Sequence, residues 1–330
     1  MNPLRYAKAG DAGEAIATVA NERNARYIAG GTNVIDLMKL HIEEPEVLVD
    51  ITGLPMRSIA ATAGGGVRLG ALATMADVAD SPLVSSGFPV VSQALLASAS
   101  PQLRNMATIG GNVLQRTRCN YFRDASQPCN KRAPGKGCSA REGQNRFHSV
   151  IGTSEHCICS HPSDFATALV AVDALVHTRG TAGTRVIPIE NLYVLPGDRP
   201  EIENVLRPGE LIEAIELRPS AHARTSAYLK VRDRASYEFA LVSVAAAVAV
   251  DGGVVREARV ALGSVAPKPW RARDVEAALI GKPANDATFA AAGDVATRGM
   301  RGYGHNDFKI PMTRQAVRRA LAITLPGGRA

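Results

Sequence analysis

All five cysteines of the chain lie between residues 119 and 159, in a stretch with no helical or strand periodicity to hold it together. Nine residues separate Cys119 from Cys129, eight follow to Cys138, eighteen to Cys157 and one to Cys159. Core cysteines would sit in apolar periodic segments, whereas Cys119, Cys129 and Cys138 sit among Arg, Asn, Pro and Gly. A disulfide framework is disfavoured, because a chain of 330 residues needs no staples and five is an odd number. Structural zinc usually shows paired C-x2-4-C knuckles. None is present, although His148, His156 and His161 leave a mixed site open. Four thiolates around an iron–sulfur cluster are the third arrangement, although the spacing does not match the ferredoxin runs. The charge pattern favours it. Arg116, Arg118, Arg123, Lys131, Arg132, Lys136, Arg141 and Arg146 stand in the segment against only Asp124 and Glu142. Such a basic surround would stabilise an anionic cluster. Much of the chain's net charge of +7 is therefore local.

Two glycine turns carry the second signal. "IAGGTN" (28–33) follows a strand-like run and opens a helix-like one, and "ATIGGN" (107–112) repeats the chemistry. Adjacent glycines let backbone approach a pyrophosphate, and a chain entering a helix offers free N–H groups. Neither turn has the G-x-G-x-x-G spacing or G-K-[ST], so neither is a Rossmann or Walker A loop. Two such turns could hold one dinucleotide from two sides. No H-E-x-x-H, hydrolytic triad or paired-carboxylate pattern is present.

Around these motifs the chain alternates short strands and helices. Strands are expected at "ARYIA", 46–51, 66–73, "ALVHTR" and 210–217, with helices after Thr74, at "FPVVSQALLASAS" and after Ser163. A Pro-containing linker spans 218–225. Beyond it, three strands with a hairpin at 251–253 and three terminal helices form an α+β unit. No N-terminal signal is expected, and the longest apolar run, Phe239 to Val250, is shorter than the ~20 residues that span a bilayer.

Along its whole length the chain resembles the FAD-binding subunits of the molybdenum hydroxylases, the xanthine dehydrogenase and aldehyde oxidase group. "IAGGTNVIDLMKL", "ATIGGNVLQ", "HPSD", "KVRDRASYEFALVSVAAAV" and "FKIPMTRQAVRRAL" carry the likeness. The cysteine block looks like that of the flavin and [4Fe-4S] subunit of bacterial periplasmic aldehyde oxidoreductases. The resemblance implies an α+β fold. A vanillyl-alcohol-oxidase-like FAD-binding domain would comprise subdomains 1–55 and 56–219, with a cluster-binding insertion at about 115–160. A small α+β domain would follow at 224–330.

The same resemblance assigns residues. Ile28, Ala29, Gly30, Gly31, Thr32, Asn33, Val34 and Ile35 would wrap the FAD pyrophosphate. Thr108, Gly110, Gly111 and Asn112 would form the second turn. Asp164 would approach the ribityl or ring side, and Ile212 and Lys230 would border the flavin. Cys119, Cys129, Cys138 and Cys157 would bind one [4Fe-4S] cluster. Cys159 is expected to face away from Cys157 and stand aside, with substitution for it as the open alternative. The partners implied are a molybdenum-cofactor large subunit and a [2Fe-2S] small subunit in a heterotrimer, with substrate chemistry outside this chain. Aldehydes would be oxidised there and electrons would leave through FAD. The complex is expected to be periplasmic, this chain being carried folded by a signal-bearing partner, and otherwise cytoplasmic. Neither nucleic acid nor membrane insertion is implied. The competing reading is a basic, zinc-stabilised nucleic-acid-binding protein.

Overall fold

Three short runs, the first two joined by a capped helix, open the fold as three parallel strands. The structure, a computed structural model, describes residues 2–325 and 327. The outermost ends of the expected first and third domains (residue 1, and residues 326 and 328–330) lie outside the described residues. β1 (Arg5–Lys8), β2 (Ala25–Ile28) and β3 (Val47–Asp50) form a sheet in the order β1-β3-β2. The helix Ala12–Asn21 starts at Asp11, whose carboxylate accepts the Glu14 N–H at 2.9 Å. The central strand β3 is buried along its whole length, as a covered parallel strand must be.

The second sheet is antiparallel: β4 (Ile59–Ala61), β5 (Val67–Gly70), β6 (Leu175–Gly180), β7 (Gly183–Pro188) and β8 (Leu211–Leu217), in the order β4-β5-β8-β6-β7. The chain leaves this sheet after Gly70 and returns at Leu175. The stretch between holds the second glycine turn and all the thiols, and the thiol segment packs on Leu37 of the first unit and on the third sheet's domain at Val265. Thr74 and Asp77 make a reciprocal capping box on the helix Met75–Asp80. The helix Asp164–Ala171 is buried at every residue and fills the centre of the core beside Leu69, Val91 and Ile215.

The third sheet, β9 (Ser226–Val231), β10 (Val242–Asp251), β11 (Val254–Gly263) and β12 (Trp270–Arg271), is antiparallel in the order β12-β11-β10-β9. Sequence periodicity leads to three strands. The fourth is two residues long, too short for alternation to reveal. Gly252 and Gly253, both at positive φ, close the β10–β11 hairpin, since a two-residue turn of this hand needs them. The near-continuous apolar run of β10 has a reason: both faces are covered. Val244, Ala246 and Val248 meet the terminal helices Asp286–Ala296 and Lys309–Ile323, through Phe289, Val317 and Leu321. Ala245, with Ala261 and Tyr228, joins the core of the second sheet instead.

Candidate functional site

The first glycine turn leaves β2 and enters the short helix Val34–Lys39. Gly31 takes φ +71°, which side chains resist. The N–H groups of Gly30, Gly31 and Thr32 have no acceptor among the described residues, so the turn offers a run of donors. Asn33 is half used. Its Oδ1 accepts from the Arg116 backbone N–H at 3.2 Å, and its buried Nδ2 has no partner.

The second turn lies directly against the first. A Cβ on Gly30 would fall 1.9 Å from the Met106 carbonyl oxygen and 3.2 Å from the Ala107 Cα. Backbone touches backbone there, which only glycine permits. The two turns are not equivalent, however. Residues Ile109–Val113 form a single helical turn capped by Thr108. Its N–H groups are spent internally: Ile109 on Ala73 O at 3.0 Å, Gly110 on Ala71 O at 2.9 Å and Gly111 on Thr108 Oγ1 at 3.4 Å. The second turn therefore walls and fixes the first, while the first keeps the free donors.

Asn112 carries the connection onward. Its Oδ1 accepts from Ser163 Oγ at 2.6 Å, and Ser163 in turn caps the helix Asp164–Ala171 by accepting the Ala166 N–H at 2.9 Å. Asp164 is thus held one residue from the second turn's contact. Its Oδ2 accepts from Lys230 Nζ at 2.7 Å and from Ser98 Oγ at 2.9 Å, and its Oδ1 accepts from the Tyr228 hydroxyl at 2.6 Å. Burial pushes the Tyr228 hydroxyl well up, and the neighbouring carboxylate adds to that. Lys230 also donates to Ala97 O at 3.1 Å. The structure thus brings together Asp164 and Lys230, and adds Ser98 and Tyr228. Strand alternation could have pointed to Tyr228, two residues before Lys230 on β9 and on the same face. Nothing local marks Ser98. The Ile212 side chain is elsewhere, 4% exposed within the core of the second sheet.

The thiols converge. Cys129 and Cys138 face one another across an isolated antiparallel bridge. With Cys119, Cys157 and Cys159 they line one cavity of about 10 Å³. The expectation that Cys159 faces away fails. Positions two apart on extended backbone share a face, and here the Cys157 and Cys159 thiols hydrogen-bond to each other. That bond, with burial, pushes Cys157 up. The same bond pulls Cys159 down to about 7, with the Lys131 ammonium assisting. Burial pushes the Cys119 thiol up to about 12. No group of three or more His, Cys, Asp or Glu among the described residues is placed to hold a single metal ion. A tetrahedral ion with ~2.3 Å bonds would draw its sulfurs to about 3.8 Å apart. Five thiols around one space are the donor type that iron–sulfur clusters use.

Of the nearby histidines, His148 places Nε2 3.1 Å from Cys119 Sγ, while its buried Nδ1 has no partner. Burial pushes it down to about 4, so the ring is neutral at neutral pH. His156 borders the thiol cavity, and His161 packs edge-on to Tyr193 with ring centroids 4.7 Å apart.

The basic side chains do not form a halo around the sulfurs. Arg116 pairs with Glu203 at 2.6 Å and with Glu43. Arg118 and Arg123 share Asp36, each at 2.9 Å. Arg146 pairs with Asp233 at 2.8 Å, and Arg132 donates to the Tyr121 and Phe122 carbonyls at 2.8 and 2.7 Å. Lys131 is the cation whose field reaches the thiols of Cys157 and Cys159. It is anchored on Pro200 O at 2.7 Å and on Glu203 at 3.1 Å. Carboxylates from outside the segment thus neutralise most of its charge. These inward pairs leave no support for the reading as a nucleic-acid-binding surface.

Comparison with known proteins agrees with this geometry. Residues 2–220 match the FAD binding domain in molybdopterin dehydrogenase, and residues 227–324 match the CO dehydrogenase flavoprotein C-terminal domain. The chain is 46% identical to the aldehyde oxidoreductase FAD-binding subunit PaoB of Escherichia coli K12, over 98% of both chains. It is 26% identical to the carbon monoxide dehydrogenase medium chain of Hydrogenophaga pseudoflava, over 94% of this chain and 92% of that one. A solved carbon monoxide dehydrogenase structure from Hydrogenophaga pseudoflava superposes with a TM-score of 0.75 at 27% identity, over 97% of each chain.

Proposed function

Because the chain belongs to the FAD-binding subunits of the molybdenum hydroxylases, we propose that it is the flavin and [4Fe-4S] electron-transfer subunit of an aldehyde-oxidising complex. The observation that carries the flavin part is the meeting of the two glycine turns. Free N–H groups of Gly30, Gly31 and Thr32 and the unpartnered Asn33 Nδ2 stand where Gly30 touches the Met106 backbone. These are the donors a pyrophosphate needs. The second turn, through Thr108, Gly110, Gly111 and Asn112, sets their position. Asp164 and Lys230, coupled by their 2.7 Å ion pair, would bound the far end of the cofactor. Any part played by Ile212 would be through its backbone, since its side chain is core.

FAD supplies the exchange between electrons delivered singly and electrons released in pairs. In this reading aldehyde is oxidised to acid in a molybdenum-cofactor large subunit. A small [2Fe-2S] subunit delivers the electrons, and an external acceptor removes them. Cys119, Cys129, Cys138 and Cys157 would hold the [4Fe-4S] group, with Lys131 offsetting its negative charge. Metal–thiolate bonds would also supply folding free energy to a segment with little apolar periodicity. The units 1–55, 56–219 and 224–330 would act as the family's two flavin subdomains and C-terminal domain. The complex would work in the periplasm.

One spectrum tests the reading. Protein purified anaerobically with its co-purifying subunits should show a flavin band and a broad brown shoulder, with about one FAD released per chain on denaturation. Protein without releasable FAD would overturn the flavin assignment. Flavin with zinc in place of iron in the thiol segment would overturn the cluster.

A further inference from the structure

We propose that His148 is a positioning residue for the thiol-bound group: its Nε2–H donates to the Cys119 sulfur and raises the reduction potential of the cluster. This inference rests on the [4Fe-4S] reading above. His148 lies within the segment, and its backbone is held both by the segment itself and by the C-terminal domain. The His148 N–H donates to Asn145 O at 2.9 Å, and its carbonyl accepts from Asn306 Nδ2 at 3.2 Å. Asn306 is wholly buried, and its Oδ1 accepts from the Tyr303 N–H at 2.7 Å. The imidazole is 3% exposed, so water does not compete for its nitrogen. Its Nε2 stands 3.1 Å from Cys119 Sγ.

The chemistry of the pair fixes the direction of the bond. A metal-bound thiolate carries no proton and can only accept. The hydrogen bond therefore exists only in the tautomer with the proton on Nε2, which leaves Nδ1 with its lone pair. Backbone N–H groups of Phe122 and Tyr121 also approach the sulfur, so His148 adds a side-chain donor to a thiolate already facing amides. Hydrogen bonds to cluster sulfurs withdraw negative charge and favour the reduced, more anionic state. Partners of this kind behind a metal ligand tune the metal without touching it.

The test uses the complex purified anaerobically, with iron analysis and a redox titration followed by electron paramagnetic resonance. Wild type is compared with His148→Phe, which keeps a buried ring and removes the donor, and His148→Gln, which keeps an N–H at similar reach. The expected result is full iron in all three, a lower midpoint in His148→Phe and a near wild-type midpoint in His148→Gln. At the wild-type midpoint the reduced-to-oxidised ratio in His148→Phe should fall about tenfold, equivalent to ~59 mV for one electron. Equal midpoints in all three would overturn the proposal, as would a His148→Gln shift as large as that of His148→Phe. If His148→Phe loses iron, His148→Leu replaces it as the donor-free variant and is read against His148→Gln in the same way: a lowered midpoint in His148→Leu alone supports the donor role, and equal midpoints refute it. A wild-type protein without a four-iron signal would instead refute the cluster reading, and this inference with it.

Discussion

Gly30→Ala should remove flavin from the protein while leaving most of the fold in place. The added Cβ would lie 1.9 Å from the Met106 carbonyl oxygen and 2.7 Å from its carbon. Both are backbone atoms, and they cannot swing aside. The Met106 and Ala107 N–H groups bond to Leu103 O at 3.1 and 2.8 Å, and Ala107 O accepts the Met75 N–H at 2.9 Å. To reach even 3.0 Å, the two turns must part by about 1.1 Å. A binding constellation tolerates only about 0.5 Å of displacement. Overpacking of this kind costs about 1–3 kcal/mol, which corresponds to roughly 5- to 160-fold in flavin affinity if the strain falls on the cradle. Gly31→Ala is the internal control. Its Cβ would meet only the flexible tip of Ile35, at 2.8 Å, so its cost is mainly that of φ +71°, about 1–2 kcal/mol. The assay is the ratio of flavin to protein absorbance after gel filtration, with thermal melting to confirm folding. Flavin content in Gly30→Ala equal to wild type, or a larger loss in Gly31→Ala, would refute the reasoning.

Asp164→Asn should destabilise the protein by about 3–5 kcal/mol in urea titration, because it leaves the buried Lys230 ammonium without its carboxylate. A change below about 1 kcal/mol would show that the pair is not structural. Single Cys→Ser variants should lose iron and the four-iron signal at Cys119, Cys129, Cys138 and Cys157, and keep both at Cys159. Loss in Cys159→Ser with retention in Cys157→Ser would reverse the fourth ligand. Burial, with the Arg146 charge adding, holds Lys309 down to about 7 from its ordinary 10.5. Between those values the unfolded chain binds a proton that the folded chain does not. Stability should therefore rise with pH from 7 to 10.5. Lys309→Met, measured by urea midpoint across that range, should flatten the rise, and an unchanged slope would refute the assignment.

Residues that bond to near neighbours are legible in the amino-acid sequence by itself. Thr74 and Ser163 cap helices, and Gly252–Gly253 closes a hairpin, because each needs only partners within four residues. The two glycine turns and the thiol-rich segment are likewise local chemistry, and the motifs around them identify the family. β1, β4, β7 and β12 escape notice: the first three are mostly exposed, so no buried face repeats along them, and β12 is two residues long. Tertiary structure alone decides the site. Gly30 meets Met106 only after the chain has travelled through two sheets. Asp36, Glu43 and Glu203 neutralise arginines and a lysine far from them in sequence, so counting charge within the segment overstates the field at the sulfurs. His148 reaches Cys119 because Asn306, far along the chain, holds its backbone. Local hydrogen bonds need only a residue's neighbours, whereas these contacts depend on where distant segments return, and sequence spacing carries no record of that return.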